Sequence, residues 1–158
     1  MSVSNIEIRP ATLADAAAIA SCLAEVFECY RDAYSLAAFG DTVPNRDGIA
    51  LRIQHMRVLI AAIDSKKIVG TVSATINSDH GHLRGMAVLP EFQGSGIALK
   101  LLAEIEHWLR SQGCRGVTLD TTEPLTVAMK FYERHGYRRS GKITDFFGMP
   151  LIEYLKMI

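Results

Sequence analysis

The segment Gln93-Gly94-Ser95-Gly96-Ile97-Ala98 has the residue types and spacing to hold a ligand. An apolar, strand-like run ends just before it at Pro90, and a long amphipathic run begins directly after it. Glycine has no Cβ to keep a ligand away from the backbone. The first N–H groups of a helix find no partner within it, and the positive end of the helix dipole lies there. A glycine turn at the head of a helix is therefore a cradle for a phosphate or pyrophosphate. The chemistry to look for is that of a phosphorylated ligand seated on residues 93–98.

Two familiar phosphate loops do not fit. A P-loop needs Lys-Ser or Lys-Thr after its last glycine, and here Lys100 already lies inside the helical run. A dinucleotide loop needs Gly or Ala at its last position, where this chain has Leu99. Asp120 does fall on the next strand at about the expected distance. However, the strand ahead of the loop belongs to an antiparallel meander, which a dinucleotide fold does not have.

The elements that must position this turn follow from periodicity. Ile6 to Arg9 alternates as a short strand. Thr12 and Asp15 have the spacing of a helix N-cap and its N3 partner. Behind them Leu13, Ala16, Ile19, Leu23 and Phe27 recur at helical spacing. A second helix is expected from Gly48 to Met56. Between the two, Tyr30, Tyr34 and Phe39 either line a substrate mouth or pack a helix onto the core. Val58 to Ile63, the turn Asp64-Ser65-Lys66-Lys67 and Ile68 to Ile76 form a β-hairpin. Asn77 to Gly81 is a further turn, and Leu83 to Leu89 is the third strand of the meander.

From Gly96 to Gln112 a helix buries Ile97, Leu101, Leu102, Ile105, Trp108 and Leu109, and Gly113 stops it. Val117 to Thr121 follows as a strand, so a strand–helix–strand crossover with parallel strands is expected. A helix from about Pro124 to Arg134 and one or two strands within Phe146 to Met157 complete the chain. The class is α/β in the broad sense (α+β), with one domain over residues 1–158.

Composition narrows the partners. In 158 residues, 49% are hydrophobic and 22% charged, and 17 basic side chains balance 17 acidic ones. A chain of this size buries a real core, and its zero net charge gives no reason to expect nucleic acid. Arg134, His135, Arg138, Arg139 and Lys142 are either a local basic patch or a solvated surface. Cys22, Cys29 and Cys114 form no CxxC pair, so neither a metal site nor a disulfide framework is expected. The opening residues carry no signal pattern and no apolar run is long enough for a bilayer, so the expected location is the cytosol, away from membranes.

Three stretches resemble the GCN5-related N-acetyltransferases (GNAT). Gln93 to Ala98 matches the family's Q/R-x-x-G-x-G/A acetyl-CoA loop. Met86-Ala87-Val88-Leu89-Pro90-Glu91 is similar to its fourth strand and exit. Ala128 to Tyr137 is similar to its A-x-x-F/L-Y-x-x-x-G-F/Y signature. The order of elements follows the family over nearly the whole chain. One departure stands out, since Leu125 occupies a position where many members carry a cofactor-binding Asn.

The resemblance implies a central mixed, mostly antiparallel sheet of six or seven strands flanked by about four helices. It also implies acetyl transfer from acetyl-CoA to an amine of a small molecule or peptide, without a metal. A non-catalytic acyl-CoA-binding module is the alternative. By the same resemblance, the N–H groups of Gln93, Gly94, Ser95, Gly96, Ile97 and Ala98 hold the pyrophosphate. Met86, Ala87 and Val88 offer main-chain bonds to the pantetheine arm, with the N–H near Val88 placed to steady an oxyanion.

Tyr132 matches the tyrosine that protonates the departing thiolate; the alternative is a half-buried tyrosine satisfied by a backbone carbonyl. His82 is the candidate base for the amine, expected on the same side of its strand as Arg84 and Met86. The alternative for His82 is an exposed turn histidine, and Asp120 and Glu123 are lesser candidates for base. The acceptor site is expected from 29–47, the meander turn and the loop Thr144 to Pro150. The apolar Phe146-Phe147-Gly148-Met149-Pro150 either lines that site or meets a second subunit in a homodimer.

Overall fold

The computed structural model describes residues 5–158. The opening stretch read for a signal pattern lies outside the described residues at 1–4. Seven strands form one sheet: β1 (Ile6–Pro10), β2 (Arg57–Ile63), β3 (Lys67–Asn77), β4 (His80–Val88), β5 (Gly116–Thr121), β6 (Arg138–Phe146) and β7 (Met149–Met157). Their order is β1-β2-β3-β4-β5-β7-β6. Among the described residues only β4 and β5 pair in parallel, through the crossover helix α4 (Ile97–Ser111). The mixed, mostly antiparallel sheet is as expected.

Helices α1 (Ala16–Phe27), α2 (Leu36–Thr42), α3 (Arg46–His55) and α5 (Thr126–Arg134) bring the α-helices to five, one more than expected. The additional one is α2, in the stretch whose fold was left open. Ser35 caps it by accepting a hydrogen bond from the Ala38 N–H.

The central strands are buried on both faces, and alternation divides their side chains between two cores. Val58, Ile60 and Ala62 meet Ile19, Leu23, Phe27, Phe39 and Ile49 on one face. Leu59 and Ala61 meet Ile97, Leu101, Leu102, Ile105 and Leu109 of α4 on the other. Tyr34 and Phe39 pack into the first core, Phe39 edge-on to Tyr34 at 6.3 Å between centroids.

The structure corrects four local expectations. Leu13 is 55% exposed, because Leu13–Asp15 forms a 3-10 turn and the buried stripe begins only at Ala16. The turn expected over Asn77 to Gly81 is two residues, Ser78 and Asp79, with Asn77 already facing His80 across the hairpin. His82 is therefore not at a loop edge: it pairs with Thr75 on β3 and Thr118 on β5. The hairpin β6–β7 replaces the loop expected over Thr144 to Pro150, with Phe147 and Gly148 at its tip. β6 escaped the sequence reading because it is an edge strand, exposed along almost its whole length, and so carries no alternating pattern.

The cap at the head of α1 forms in part as expected. The Thr12 N–H donates to Asp15 at 2.7 Å, and Arg9 adds two hydrogen bonds to the same carboxylate at 2.8 and 3.0 Å. Chiefly through Arg9, the Asp15 carboxyl falls from its ordinary 3.8 to about 2. A depressed carboxyl stabilises the fold above its unfolded pKa, and the contribution is lost as pH falls through the folded one. Asp15→Asn is thus expected to lower stability at pH 7, and its deficit relative to wild type should shrink as the pH drops from about 4 to about 2. Urea unfolding across that range measures it, and a deficit independent of pH would count against the linkage.

Candidate active site

The site is built where β4 and β5 stop pairing. Their register runs from His80 opposite Gly116 to Leu83 opposite Leu119 and ends there. Beyond it β5 continues against β7 through Asp120 and Thr121, while β4 continues against β3. The divergence coincides with a bulge on β4. Ser73 faces Arg84 and Thr71 faces Ala87, so Gly85 and Met86 together oppose the single residue Val72. Gly85 adopts φ +66°, a left-handed conformation that suits glycine.

The bulge also resets which side chain faces which layer. His82, Arg84 and Met86 do not share a side as simple alternation implied. Arg84 reaches Asp41 of α2 at 2.6 Å, whereas Met86 packs with Leu83 and Val88 in the core beneath α4.

Main-chain groups on the open edge of β4 are left for a ligand. The Leu89 N–H donates to the Val69 carbonyl at 2.8 Å, so Ala87, two residues earlier, also turns its peptide groups to β3. Ala87, expected to offer main-chain bonds to a ligand, thus keeps its peptide groups within the sheet. The Val88 carbonyl there accepts from Gln93 Nε2 at 3.0 Å, which leaves the Val88 N–H facing the gap. Gln93 therefore acts also through its side chain, as a brace between strand and turn.

The glycine turn has the expected shape. Gly94 and Gly96 have φ of +79° and +89°, and a Cβ built at either would meet nothing within 4 Å. Ser95 donates its hydroxyl to the Phe92 carbonyl, holding the turn over buried Phe92. Gly96 is the N-cap of α4, and no side chain caps the helix among the described residues. The Ile97 side chain is buried in the core, so Ile97 can offer a ligand only its N–H.

A cavity of about 390 Å³ fills the fork between the strands. Tyr132, His82, Met86, Asp120, Leu125 and Phe147 are among its lining residues. Tyr132 is 6% exposed, and burial alone pushes its phenol above the ordinary tyrosine range. Among the described residues its hydroxyl makes no hydrogen bond, so the backbone carbonyl considered as its partner is not there. Leu125, in the place of the usual Asn, packs on the core and presents hydrocarbon to the cavity.

His82 is half-buried, with Nδ1 2.8 Å from Thr118 Oγ1 and Nε2 3.3 Å from Asp120 Oδ2. The structure thus couples two residues that the sequence offered as alternatives. Glu123 is exposed and does not line the cavity. The cavity is further lined by Tyr34, whose hydroxyl lies 2.6 Å from Thr122 Oγ1, and by Phe146 and Phe147, tied to α2 where Ser35 Oγ donates to the Phe147 carbonyl at 2.9 Å. The core-packing reading of the aromatic stretch holds for Tyr34 and Phe39, and of the three only Tyr34 also lines the cavity.

Comparison with known proteins agrees with this geometry. Residues 20–137 match the model of the acetyltransferase (GNAT) family. The aminoglycoside N(6')-acetyltransferase type 1 of Stenotrophomonas maltophilia is 31% identical, over 96% of this chain and 97% of that one. Its namesake in Salmonella typhimurium is 28% identical over 59% of this chain and 70% of that one. Among solved structures, the PaiA N-acetyltransferase of Thermoplasma acidophilum, in complex with coenzyme A, superposes with a TM-score of 0.82 at 21% identity over the full length of both chains. The chain belongs to the GNAT acetyltransferase family. It is an acetyl-CoA-dependent N-acetyltransferase.

Gly96→Val tests the turn. A branched side chain at φ +89° strains the backbone and projects into the space above the helix head. Calorimetry should show acetyl-CoA affinity falling at least about tenfold, a loss of about 1.4 kcal/mol. Unaltered affinity in a folded variant would remove the turn from the binding site.

Proposed function

We propose that the acceptor is the primary amine of a small molecule or peptide, and that the amine attacks the thioester directly in a ternary complex. Similarity to enzymes named for aminoglycosides supports a small-molecule amine as the broad class. The observation that carries the mechanism is the open edge of β4 beside an uncapped helix head. Pyrophosphate sits on the N–H groups of Gly94, Gly96, Ile97 and Ala98, since those of Gln93 and Ser95, expected from the sequence to join them, already donate to the Pro90 and Phe92 carbonyls at 3.2 and 3.3 Å. The pantetheine arm runs along Met86 and Val88 as a substitute for the missing strand, and the acetyl group reaches the fork.

The amine nitrogen then attacks the thioester carbon. The C–O π pair moves onto oxygen, where the Val88 N–H stabilises it. Collapse expels the coenzyme sulfur, and Tyr132 donates a proton to the thiolate. Burial favours this role, since it keeps the phenol protonated at working pH. The proton lost by the amine passes to the His82–Asp120 pair. With Nε2 beside Asp120 and Nδ1 beside Thr118, His82 is held where it can pass that proton on without moving. A cytosolic setting and a homodimer complete the reading; exposed Ile143 on edge strand β6 and exposed Phe147 support the latter.

Tyr132→Phe should lower kcat at saturating acetyl-CoA by about 100-fold while leaving the Kd for acetyl-CoA within about twofold. An unchanged kcat removes Tyr132 as the acid. His82→Ala and Asp120→Asn should each abolish the acidic limb of the pH–rate profile. Survival of that limb in both would route the proton through water.

A further inference from the structure

The wall of the cavity nearest the bulge carries one guanidinium more than it has carboxylates to match. Arg52 of α3 lies against the Gly85 backbone, close enough that a Cβ on Gly85 would be 2.7 Å from its Nη1. Asp41 is the carboxylate on that wall, and it is taken by Arg84 at 2.6 Å. Among the described residues Arg52 makes no side-chain hydrogen bond and no ion pair. Arg52 is half-buried, and burial together with the neighbouring Arg84, offset in part by Asp41, brings it down to about 10. A guanidinium in that position costs free energy unless an anion faces it. It also lines the cavity together with His82 and Asp120, the groups assigned to the amine. His82 and Gly85 are three residues apart on one strand, so their backbone anchors stand at most about 10 Å apart.

We propose that Arg52 is a specificity residue that binds a carboxylate on the acceptor, so that the substrate is an amine bearing an acidic group rather than a polycation. The assignment rests on the acetyl-transfer reading of the same cavity. The charges explain the choice. The lining holds two carboxylates, Asp41 and Asp120, and two guanidinium groups, Arg52 and Arg84, so a polyamine sugar gains no net attraction there and is repelled locally by Arg52, which makes no salt bridge among the described residues. A carboxylate instead meets a planar fork able to bind both its oxygens. Gly85 matters to this arrangement, since only the missing Cβ lets the guanidinium lie on the strand.

The test compares amines with and without the acid. Glycine, β-alanine, lysine and glycylglycine are each assayed against their own carboxamides, with kanamycin as the polycation, by release of coenzyme A thiol. The acid should exceed its amide in kcat/KM by about 10- to 100-fold for the best pair, the effect of one charge-assisted contact. Arg52→Gln should bring that ratio close to one, and because the readout is a ratio, a general loss of activity cancels. A wild-type ratio near one, a preference for kanamycin, or a ratio unaffected by Arg52→Gln would overturn the assignment. Should Arg52→Gln not fold, Arg52→Lys takes its place: it keeps the charge without the fork and should reduce the ratio several-fold, and an unaltered ratio overturns the assignment equally.

A titration free of turnover separates this idea from the transferase reading. Coenzyme A-loaded wild-type protein is titrated with the N-acetyl derivatives of the four acids and of their amides. Tighter binding of acids, by about tenfold or more, supports the Arg52 subsite, and equal binding refutes it. Failure to release thiol from any acceptor counts against the transferase reading alone.

Discussion

The parting of β4 from β5 after Leu83 and Leu119 is the constraint on which the site depends. A parallel pair that kept its ladder would satisfy every peptide group and leave no room for a third chain-like object between the strands. The bulge at Gly85 and Met86 turns β4 out of register with its earlier alternation just where the ladder ends. Unpaired peptide groups are costly when buried, and they are tolerated here because the fork is open. An extended pantetheine arm has amides of its own, so it can take the place of the missing strand in the same way that a peptide adds to a sheet edge.

The same bulge links binding to selectivity. By moving Met86 to the α4 side it leaves the opposite side of β4 to His82 and Arg84, and the bare Gly85 backbone gives Arg52 a place to lie. One irregularity in one strand thus sets which side chains of β4 face α4, keeps His82 and Arg84 on the other face, and seats a guanidinium on the cavity wall. The helices supply the remaining order. α4, buried through Leu101, Leu102, Ile105 and Leu109, fixes the position of the glycine turn at its head. α5 holds Tyr132 against Tyr137 at 5.6 Å, dry enough to stay protonated.

Where local chemistry is strong, the sequence foretold the result. The glycine turn, the stripe of α4, the meander hairpins and the cap at Thr12 and Asp15 depend on neighbours within a few residues, and each appears in the structure. The positions that misled are those where distant pairing decides. His82 looks like a turn residue from its flanking Gly81 and His80, yet strands on both sides draw it into the sheet. β6 lies at an edge with solvent on it, so no periodicity betrays it. A bulge shifts alternation by one residue and carries no mark in sequence beyond a glycine, which is why Met86 was expected on the wrong side.

By itself the chain's order of residues determined that a glycine turn would head a buried helix between two strands, since glycine conformation, helix dipole and apolar spacing are properties of short segments. Tertiary structure alone decided that His82 and Asp120 would touch and that, among the described residues, Tyr132 would lack a hydrogen-bond partner and Arg52 a salt bridge. Those outcomes depend on side chains far apart in the chain being brought to one fork, and on which of them reaches a shared partner first: Arg84 takes Asp41, and Arg52 is left facing the cavity.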